Sequence, residues 1–317
     1  MQPKIKIVGV GGSGSNTISR MFKFRKLGGD FKLQTGEVEL LAINTDAQAL
    51  SLSQADKKIL IGRNITGGLG TGMDASLGRR SAEECREEIA ETLKGTDVVF
   101  VTCGLGGGTG SGASSIISEI SKNLGILTIA VVTMPFSFEG LQRKKIAEQA
   151  LDNLKNNVDS LIVIYNDKLL KIIDEKTTVS GAFLICDDIL RQATKSITDL
   201  ILEPGIINID FALFMSIMKN SGQALFGVGN ALGEKRAITA TQKAIDSPLL
   251  DFSIKKAKVI LFSLSGNDIT LNEIQEAAKI LTENADSKVQ IIFGATKDKN
   301  LKKGEVKATL IATGINK

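Results

Sequence analysis

The fold of this chain is decided by one glycine-rich run, Cys103-Gly104-Leu105-Gly106-Gly107-Gly108-Thr109-Gly110-Ser111-Gly112. An apolar, strand-like stretch (98–102) precedes the run, and a helical pattern (113–124) follows it. Glycines this dense let backbone N–H groups converge on an anion, and the helix behind them directs the positive end of its dipole to the same point. The run therefore predicts a phosphate cradle, because a flexible linker would not lie between a buried strand and an amphipathic helix. It lacks the Gly-Lys-Ser/Thr ending of a P-loop, which excludes ordinary P-loop NTPases.

Strand and helix patterns alternate on both sides of this run. Apolar strand patterns cover residues 4–10, 38–44, 98–102, 127–133 and 161–165, and helical patterns cover 81–94, 113–124 and 141–156. This alternation predicts an α/β fold with a mostly parallel sheet covered on both faces. Ligands of such sheets bind at the carboxyl ends of the strands, which is where the glycine-rich and Asn/Asp-rich turns fall.

A long central helix is predicted over residues 181–202, with a strong stop at Glu203-Pro204-Gly205. A smaller α/β unit follows, with strand patterns at 222–229, 259–265, 288–293 and 306–313 and helical patterns at 234–246 and 271–285. We therefore predict a ligand-binding domain at 1–180, a central helix at 181–203 and a C-terminal domain at 204–317.

Composition excludes several classes of function. The 317 residues include no histidine, which removes Ser-His-Asp and Cys-His catalysis and histidine metal sites. Tryptophan is absent and the net charge is only +4, so we expect no nucleic-acid partner and predict that basic stretches such as 20–26 are solvated faces. The three cysteines show no disulfide framework or metal spacing, and no stretch could span a bilayer. A cytoplasmic protein without direct membrane insertion is the expectation.

Two further glycine loops lie near strand ends. Residues 9–14, Gly-Val-Gly-Gly-Ser-Gly, fit the dinucleotide fingerprint G-x-G-x-x-G, and Asp46 near the end of the second strand would suit that interpretation. A dinucleotide, however, needs one pyrophosphate turn, so two cradles facing one site favour a nucleoside triphosphate. The third loop, 66–72, is open to two interpretations, a mobile surface loop or a lid near the terminal phosphate.

Several blocks in register resemble the FtsZ family, the prokaryotic cell-division relatives of tubulin. Besides the run at 106–112, they are residues 44–50 (Asn-Thr-Asp-Ala-Gln-Ala-Leu), 135–140 (Pro-Phe-Ser-Phe-Glu-Gly), 166–170, 208–212, 247–250 (Ser-Pro-Leu-Leu) and 311–314. The resemblance covers nearly the whole chain. It implies a tubulin/FtsZ-type GTPase domain, a long central helix and a smaller α/β C-terminal domain. GTP/GDP is the implied ligand, with magnesium held through the phosphates rather than by side chains.

The resemblance also assigns residues. It gives the phosphates to Gly11, Gly12, Ser13, Gly14, Ser15, Asn16, Gly106, Gly107, Gly108, Thr109 and Gly110. The terminal phosphate and its magnesium would lie near Asp46, Gly70, Thr71 and Gly72, and the ribose side near Pro135, Glu139 and Arg143. Asn166 would contact the guanine edge. Phe183 and Asp187, four positions apart on the long helix, would stack on the base and accept hydrogen bonds from its N1–H and exocyclic amine.

Members of this family cut GTP between subunits, so the resemblance implies a head-to-tail homopolymer. The loop 204–211, with Asn208 and Asp210, would complete the pocket of the next subunit and position the attacking water. Leu213 stands where the family pattern has a second acid, so slow hydrolysis is expected. Tyr165 replaces the usual proline before Asn166, and residues 23–37 form a longer, more basic link than usual.

The sequence therefore predicts a GTPase that polymerises as the scaffold of a cell-division ring, in the cytoplasm at the division site. Its membrane or division-protein adaptors are not identified by the sequence. Two alternatives stay open: a GTP-binding scaffold with essentially no hydrolysis, motivated by Leu213, and a nicotinamide-dependent oxidoreductase, which rests only on the 9–14 fingerprint.

Overall fold

A computed structural model describes residues 3–27, 37–170, 173–174, 176–202, 205–247, 249–250, 253–298 and 301–315. Most of the link at 23–37, the helix stop at 203–204 and Pro248 lie outside the described residues. The chain divides into two compact units, Met1–Lys195 and Ser196–Lys317. The boundary falls inside the long helix rather than at either of its ends.

Six strands of the first unit form a sheet in the order β3-β2-β1-β4-β5-β6, with every neighbouring pair parallel. A sheet that is covered on both faces needs strands with few polar residues, and in the fifth strand every residue is buried. The predicted parallel sheet is confirmed. The strands are β1 (Lys4–Val10), β2 (Glu37–Asn44), β3 (Lys57–Leu60), β4 (Val98–Gly104), β5 (Leu127–Met134) and β6 (Ser160–Tyr165).

Helices connect these strands and carry the apolar stripes that complete the core of the unit. They are α1 (Gly11–Lys26), α2 (Ala47–Leu52), α3 (Arg63–Thr66), α4 (Ala75–Glu84), α5 (Arg86–Leu93), α6 (Gly108–Asn123), α7 (Leu141–Lys155), α8 (Asn166–Leu169) and α9 (Val179–Leu202). A short 3-10 turn, Ser137–Glu139, precedes α7.

Two helical predictions were wrong in their bounds. The segment predicted as one helix over 81–94 is two helices that meet at Cys85, and the first begins six residues earlier, at Ala75. The helix predicted from Ala113 begins at Gly108, so the second half of the glycine run is helical rather than loop. Glycine has poor helix propensity and carries no apolar periodicity, which is why the sequence pattern started too late.

Helices α4 and α6 pack backbone against backbone. A β-carbon on Gly112 would collide with the Ala75 carbonyl oxygen, and one on Gly78 would collide with the Gly108 carbonyl oxygen. A β-carbon on Gly108 would in turn collide with the Thr71 hydroxyl. The glycines therefore let α4 and the loop before it lie directly on the first turns of α6.

The second unit has a mixed sheet in the order β8-β11-β9-β10-β7, in which only β9 and β10 pair in parallel. Its core is formed by apolar residues of these strands and of two amphipathic helices. The elements are β7 (Gly205–Ile207), α10 (Phe211–Met218), β8 (Gly222–Leu232), α11 (Arg236–Ile245), β9 (Val259–Gly266), α12 (Leu271–Asn284), β10 (Gln290–Thr296) and β11 (Glu305–Thr313). None of the helices in the described parts of the chain has the length and apolarity to cross a membrane.

We predict that Gly112→Ala lowers the free energy of unfolding by about 1–3 kcal/mol, the range for overpacking a close contact. This loss should outweigh the gain in helix propensity, which is about 1 kcal/mol. Gly107→Ala is the matched control, because a β-carbon at Gly107 meets no atom within 4 Å. Urea unfolding of the nucleotide-free protein measures both. Equal stability of the two variants would contradict the backbone contact.

Candidate functional site

The cleft of the first unit lies where the strand order reverses, between β1 and β4, at the carboxyl ends of the strands. Strand order β3-β2-β1-β4-β5-β6 places α1 and α6 after the two strands that flank this point. Open α/β sheets bind ligands at such switch points. The cleft has a volume of about 480 Å³, which is the size of a small-molecule site.

Two helices begin at the cleft without a capping side chain. The N-cap residue of α1 is Val10 and that of α6 is Gly107, and neither side chain accepts a hydrogen bond from the helix. Gly12 and Gly107 both line the cleft, and a β-carbon on either would enter open space. The first N–H groups of both helices thus lack side-chain acceptors, and both dipoles favour negative charge here. This arrangement is suited to an anion with more than one phosphate.

The turns that expose these amides depend on glycine. Gly11 has a φ of 71° and a β-carbon there would lie 2.9 Å from the Gly110 nitrogen, so the two glycine loops touch. Gly106, with a φ of 99°, packs against Arg143 and Pro135, while its N–H donates to the Ser111 hydroxyl at 2.9 Å. Both conformations strain any residue with a side chain.

Hydroxyl and carboxylate oxygens line the same end of the cleft. The Thr109 hydroxyl lies 2.7 Å from that of Thr45 and 3.4 Å from that of Thr71. Asp46 caps α2 by accepting from the Ala49 N–H at 2.9 Å, and it also lines the cleft. Hard oxygens of this kind suit magnesium, which keeps several waters and binds through few protein groups. In the described residues no cluster of three or more His, Cys, Asp or Glu side chains could hold a metal alone.

The third glycine loop is fixed by hydrogen bonds rather than free. The N–H of Ala47 donates to the Gly68 carbonyl at 2.9 Å, and that of Gly70 donates to the Thr45 carbonyl at 3.2 Å. Asp74 then caps α4 by accepting from the N–H groups of Ser76 and Leu77. The loop therefore forms one wall of the cleft, and Gly70, Thr71 and Gly72 line it.

The opposite end of the cleft is formed by Asn166, Phe183 and Asp187. Asn166 is only 4% exposed, and its buried side-chain oxygen has no hydrogen-bond partner among the described residues. A buried acceptor in this state is destabilising by about 1–3 kcal/mol unless a ligand or water satisfies it. Phe183 contacts Phe136 and Phe138 edge-on, with centroid distances of 5.7 and 6.5 Å.

Asp187 is the carboxyl group of the cleft whose pKa is raised by its surroundings. Burial raises the pKa of its carboxyl to about 6, because water that would stabilise the charged form is excluded. The Arg20 guanidinium, 3.5 Å from the carboxylate, lowers this pKa, and the Ser13 hydroxyl lowers it to a smaller extent. Half of the carboxyls would therefore be charged near pH 6.

Glu139 and Arg143 form the cleft wall between the two ends. Arg143 Nη1 donates to Glu139 at 2.7 Å, and the other Glu139 oxygen accepts from the Phe136 N–H at 2.9 Å. Pro135, at the end of β5, continues this wall. Arg143 is the one cationic side chain among the described residues that line the cleft.

Most of the site residues predicted from sequence line this one cleft. Among the residues predicted to contact the nucleotide, five do not line it: Gly11, Gly14, Ser15, Asn16 and Gly106. Gly14 packs against the Thr102 carbonyl and Gly9, Ser15 is buried and Asn16 is exposed. Gly104 and Leu105 of the predicted cradle also line the cleft, as do residues to which no individual role was assigned from sequence: Val10, Asn44, Ala49, Leu69, Met73, Thr133 and Cys186. Asn44 and Thr133 stand at or near strand ends, so the strand-end rule could have found them.

Asn208 and Asp210 belong to the second unit. Asp210 caps α10 by accepting from the Ala212 N–H at 3.4 Å, and the Asn208 side-chain oxygen accepts from the Gly205 N–H. Both side chains are exposed, and Ile209 between them packs on Gly294 of β10. Leu213, one helical turn after Asp210, is 37% exposed and lines a separate hollow with Ile217, Lys258 and Val259.

Comparison with known proteins agrees with this geometry. Residues 4–174 match the family model "Tubulin/FtsZ family, GTPase domain", and residues 222–316 match "FtsZ family, C-terminal domain". The chain is 45% identical over 316 residues to "Cell division protein FtsZ 1" of Thermococcus kodakarensis, covering 100% of this chain and 82% of that protein. It is 45% identical over 315 residues to the Pyrococcus horikoshii protein of the same name, covering 99% of this chain and 82% of that protein.

Solved structures show the same similarity in three dimensions. The structure described as "FtsZ dimer, empty (M. jannaschii)" superposes with a TM-score of 0.91 at 42% identity. The match covers 99% of this chain and 89% of that chain. Both units and the helix between them therefore have counterparts in one solved protein.

Proposed function

The chain belongs to the tubulin/FtsZ family of GTPases, and from that premise we propose that it binds GTP in the cleft of its first unit and assembles head to tail into protofilaments. The filament would serve as the scaffold of a cell-division ring, in the cytoplasm at the division site. Adaptors that attach it to other division proteins remain to be identified, and neither nucleic acid nor membrane insertion enters the proposal. The family assignment displaces the oxidoreductase alternative, whose sequence fingerprint is the start of α1.

The observation that carries the proposal is the pair of uncapped helices, α1 and α6, that begin at one cleft. Two such helix starts accommodate a triphosphate, whereas a dinucleotide fold uses one. Magnesium would be held by the phosphates with Asp46 and the threonine hydroxyls nearby, and it would neutralise charge on the phosphates. The protein's own contribution at this end is backbone N–H groups, because Arg143 is the only cation along the described cleft wall.

Guanine selection is assigned to the other end of the cleft. An Asp187 carboxylate can accept from the N1–H and the exocyclic amine of guanine together, a donor pair that adenine lacks. Asn166 offers its unpartnered side-chain oxygen, and Phe183 offers an aromatic face that is 38% exposed. The proposal is supported by the fact that these three side chains line the same cleft.

We predict that Asp187→Ala weakens GTP binding by about 1.5–3 kcal/mol, the range for a hydrogen bond to a charged group. Asp188→Ala is the matched control, because Asp188 is bound to Arg191 and Gln192 and does not line the cleft. Calorimetric titration with GTP and ATP measures both variants and the parent. Equal affinity of the parent protein for the two nucleotides would overturn the assignment.

Hydrolysis is proposed to need a second subunit. Each of the three carboxylates that line the cleft already has a partner: Asp46 caps α2, Glu139 binds Arg143 and Asp187 pairs with Arg20. A carboxylate that positions the attacking water would therefore come from outside the cleft. The exposed Asp210 and Asn208 of a neighbouring subunit are proposed to supply it, and this heterologous contact propagates as an open filament.

Assembly should require GTP and show a critical concentration, measurable by light scattering and electron microscopy. Asp210→Asn should assemble yet turn over little GTP, because asparagine still caps a helix but cannot accept a proton from water. Mixing Asp210→Asn with Asp187→Ala should give turnover above the sum of the two alone, since one supplies the pocket and the other the loop. A parent protein that stays monomeric with GTP bound would contradict the filament proposal.

Leu213 affects the expected rate of GTP hydrolysis. It lies three residues after Asp210 in the first turn of α10, so both side chains project from neighbouring positions on one face. Leucine cannot orient or deprotonate water, and this favours the second candidate function, a GTP-binding scaffold with essentially no hydrolysis. The two candidates differ only in turnover, so the same residue can decide between them.

We predict that Leu213→Asp raises GTP turnover per subunit and shortens filament lifetime. A positioned general base contributes about 10²–10⁴-fold, which sets the scale of the gain. Leu213→Asn is the matched control, since it is equally polar but is not a base. Turnover is measured well above the assembly threshold, so that weaker association does not mask the effect. Filaments of Leu213→Asp that hydrolyse no faster than those of the parent would refute this account.

A further inference from the structure

Helix α1 faces Asp187 with two side chains that are seven positions, or two helical turns, apart. Near the start of α1, the Ser13 hydroxyl favours the charged form of the Asp187 carboxyl and so lowers its pKa. Further along, Arg20 Nε lies 3.5 Å from Asp187 Oδ2. Residues seven apart share one face of a helix, so α1 presents both groups to α9. Ser13 lines the cleft, whereas Arg20 does not.

The remaining charged groups near Asp187 do not replace Arg20. Asp188, the adjacent carboxylate on α9, opposes the charge of Asp187 and is itself bound to Arg191 and Gln192. On the cleft side, Glu139 is another negative group, paired with Arg143. The Cys186 thiol is uncharged at neutral pH, because burial and the neighbouring Asp187 raise its pKa to about 12. Arg20 is thus the cation that the described structure places against this carboxylate.

Arg20 and burial act in opposite directions on Asp187. The Asp187 side chain is only 12% exposed, and this exclusion of water favours the neutral acid. The neutral acid would present an O–H to guanine where a carboxylate presents two acceptors. Arg20 is 28% exposed, so its field reaches Asp187 partly screened by solvent.

We propose that Arg20 is the positioning residue that keeps Asp187 ionised, and that it thereby sets the lowest pH at which the cleft selects guanine. The effect on guanine selection rests on the proposed function, whereas the ionisation of Asp187 is a property of the nucleotide-free protein. Arg20 acts through Asp187 and touches no ligand. The Ser13 hydroxyl, which lines the cleft, also favours the charged form of Asp187 and lowers its pKa.

The first test needs no nucleotide. The carboxyl carbon of Asp187 is followed by ¹³C NMR over a pH titration and assigned by its loss in Asp187→Asn. Arg20→Gln should move the titration midpoint upward by about one pH unit, the low end of the effect of an opposite charge at this distance. Arg25→Gln is the matched control: Arg25 lies on the same helix and binds Asp56 rather than Asp187, so the midpoint should not move.

The second test measures GDP affinity against pH. With midpoints near 6 and 7, Arg20→Gln should bind GDP roughly fivefold more weakly than the parent at pH 6 and almost equally at pH 8.5. Arg20→Lys, which retains the charge, should recover much of the affinity at pH 6. In an Asp187→Asn background, Arg20→Gln should have no further effect, because Arg20 acts through the carboxylate.

The outcomes separate the two claims. A parent protein that shows no preference for GDP over ADP would overturn the proposed function, while the NMR titration would still test Arg20. An unchanged midpoint in Arg20→Gln would overturn the inference even if guanine is preferred. A loss of GDP affinity that is the same at every pH would also overturn it, since that result indicates structural damage rather than loss of charge.

Discussion

Contact between the backbones of α4 and α6 holds the cleft together. Gly78, Gly108 and Gly112 leave no side chain between the two helices, so the loop before α4 lies against the first turn of α6. The same loop is hydrogen-bonded to residues 45–47 after β2. The loop before α4 is thereby fixed both to the chain after β2 and to the first turn of α6, which follows β4. Close packing of this kind transmits small displacements, because it leaves no space in which they could be absorbed.

Strands β4, β5 and β6 were predictable because their buried runs are mostly apolar, as a sheet covered on both faces requires. The short strand β3, which begins with two lysines, was not predicted. The resemblance to the FtsZ family assigned Phe183 and Asp187 to the site, and both line the cleft from one helix. Asn44 and Thr133 were not assigned to the site, although both stand at or near the carboxyl ends of strands, where ligands of such sheets bind. Arg20 was predicted to belong to a solvated basic face, yet it pairs with Asp187 on a helix more than 160 residues later. Such a pairing arises only from the tertiary fold.

The two ends of the cleft offer a ligand different kinds of interaction. At one end the binding groups are backbone amides, whose number and direction are set by helix geometry and do not vary with pH. At the other end one carboxylate is proposed to make the selection, and its charge depends mainly on a balance between burial and the Arg20 guanidinium. Tight binding and discrimination can therefore change independently during evolution. Under the proposal, substitutions on the α9-facing side of α1, beyond its first turns, would alter discrimination without touching the phosphate-binding loops.

The tyrosine that precedes Asn166 has an optical consequence. The chain contains one tyrosine and no tryptophan, so Tyr165 alone supplies its tyrosine absorption and fluorescence. Its ring lies under the Lys168 ammonium at 5.5 Å, and the next residue forms part of the cleft wall. Ultraviolet fluorescence of the unlabelled protein therefore reports on one spot only, the turn beside the base-binding end. Each filament would carry one such reporter per subunit, without any engineered dye.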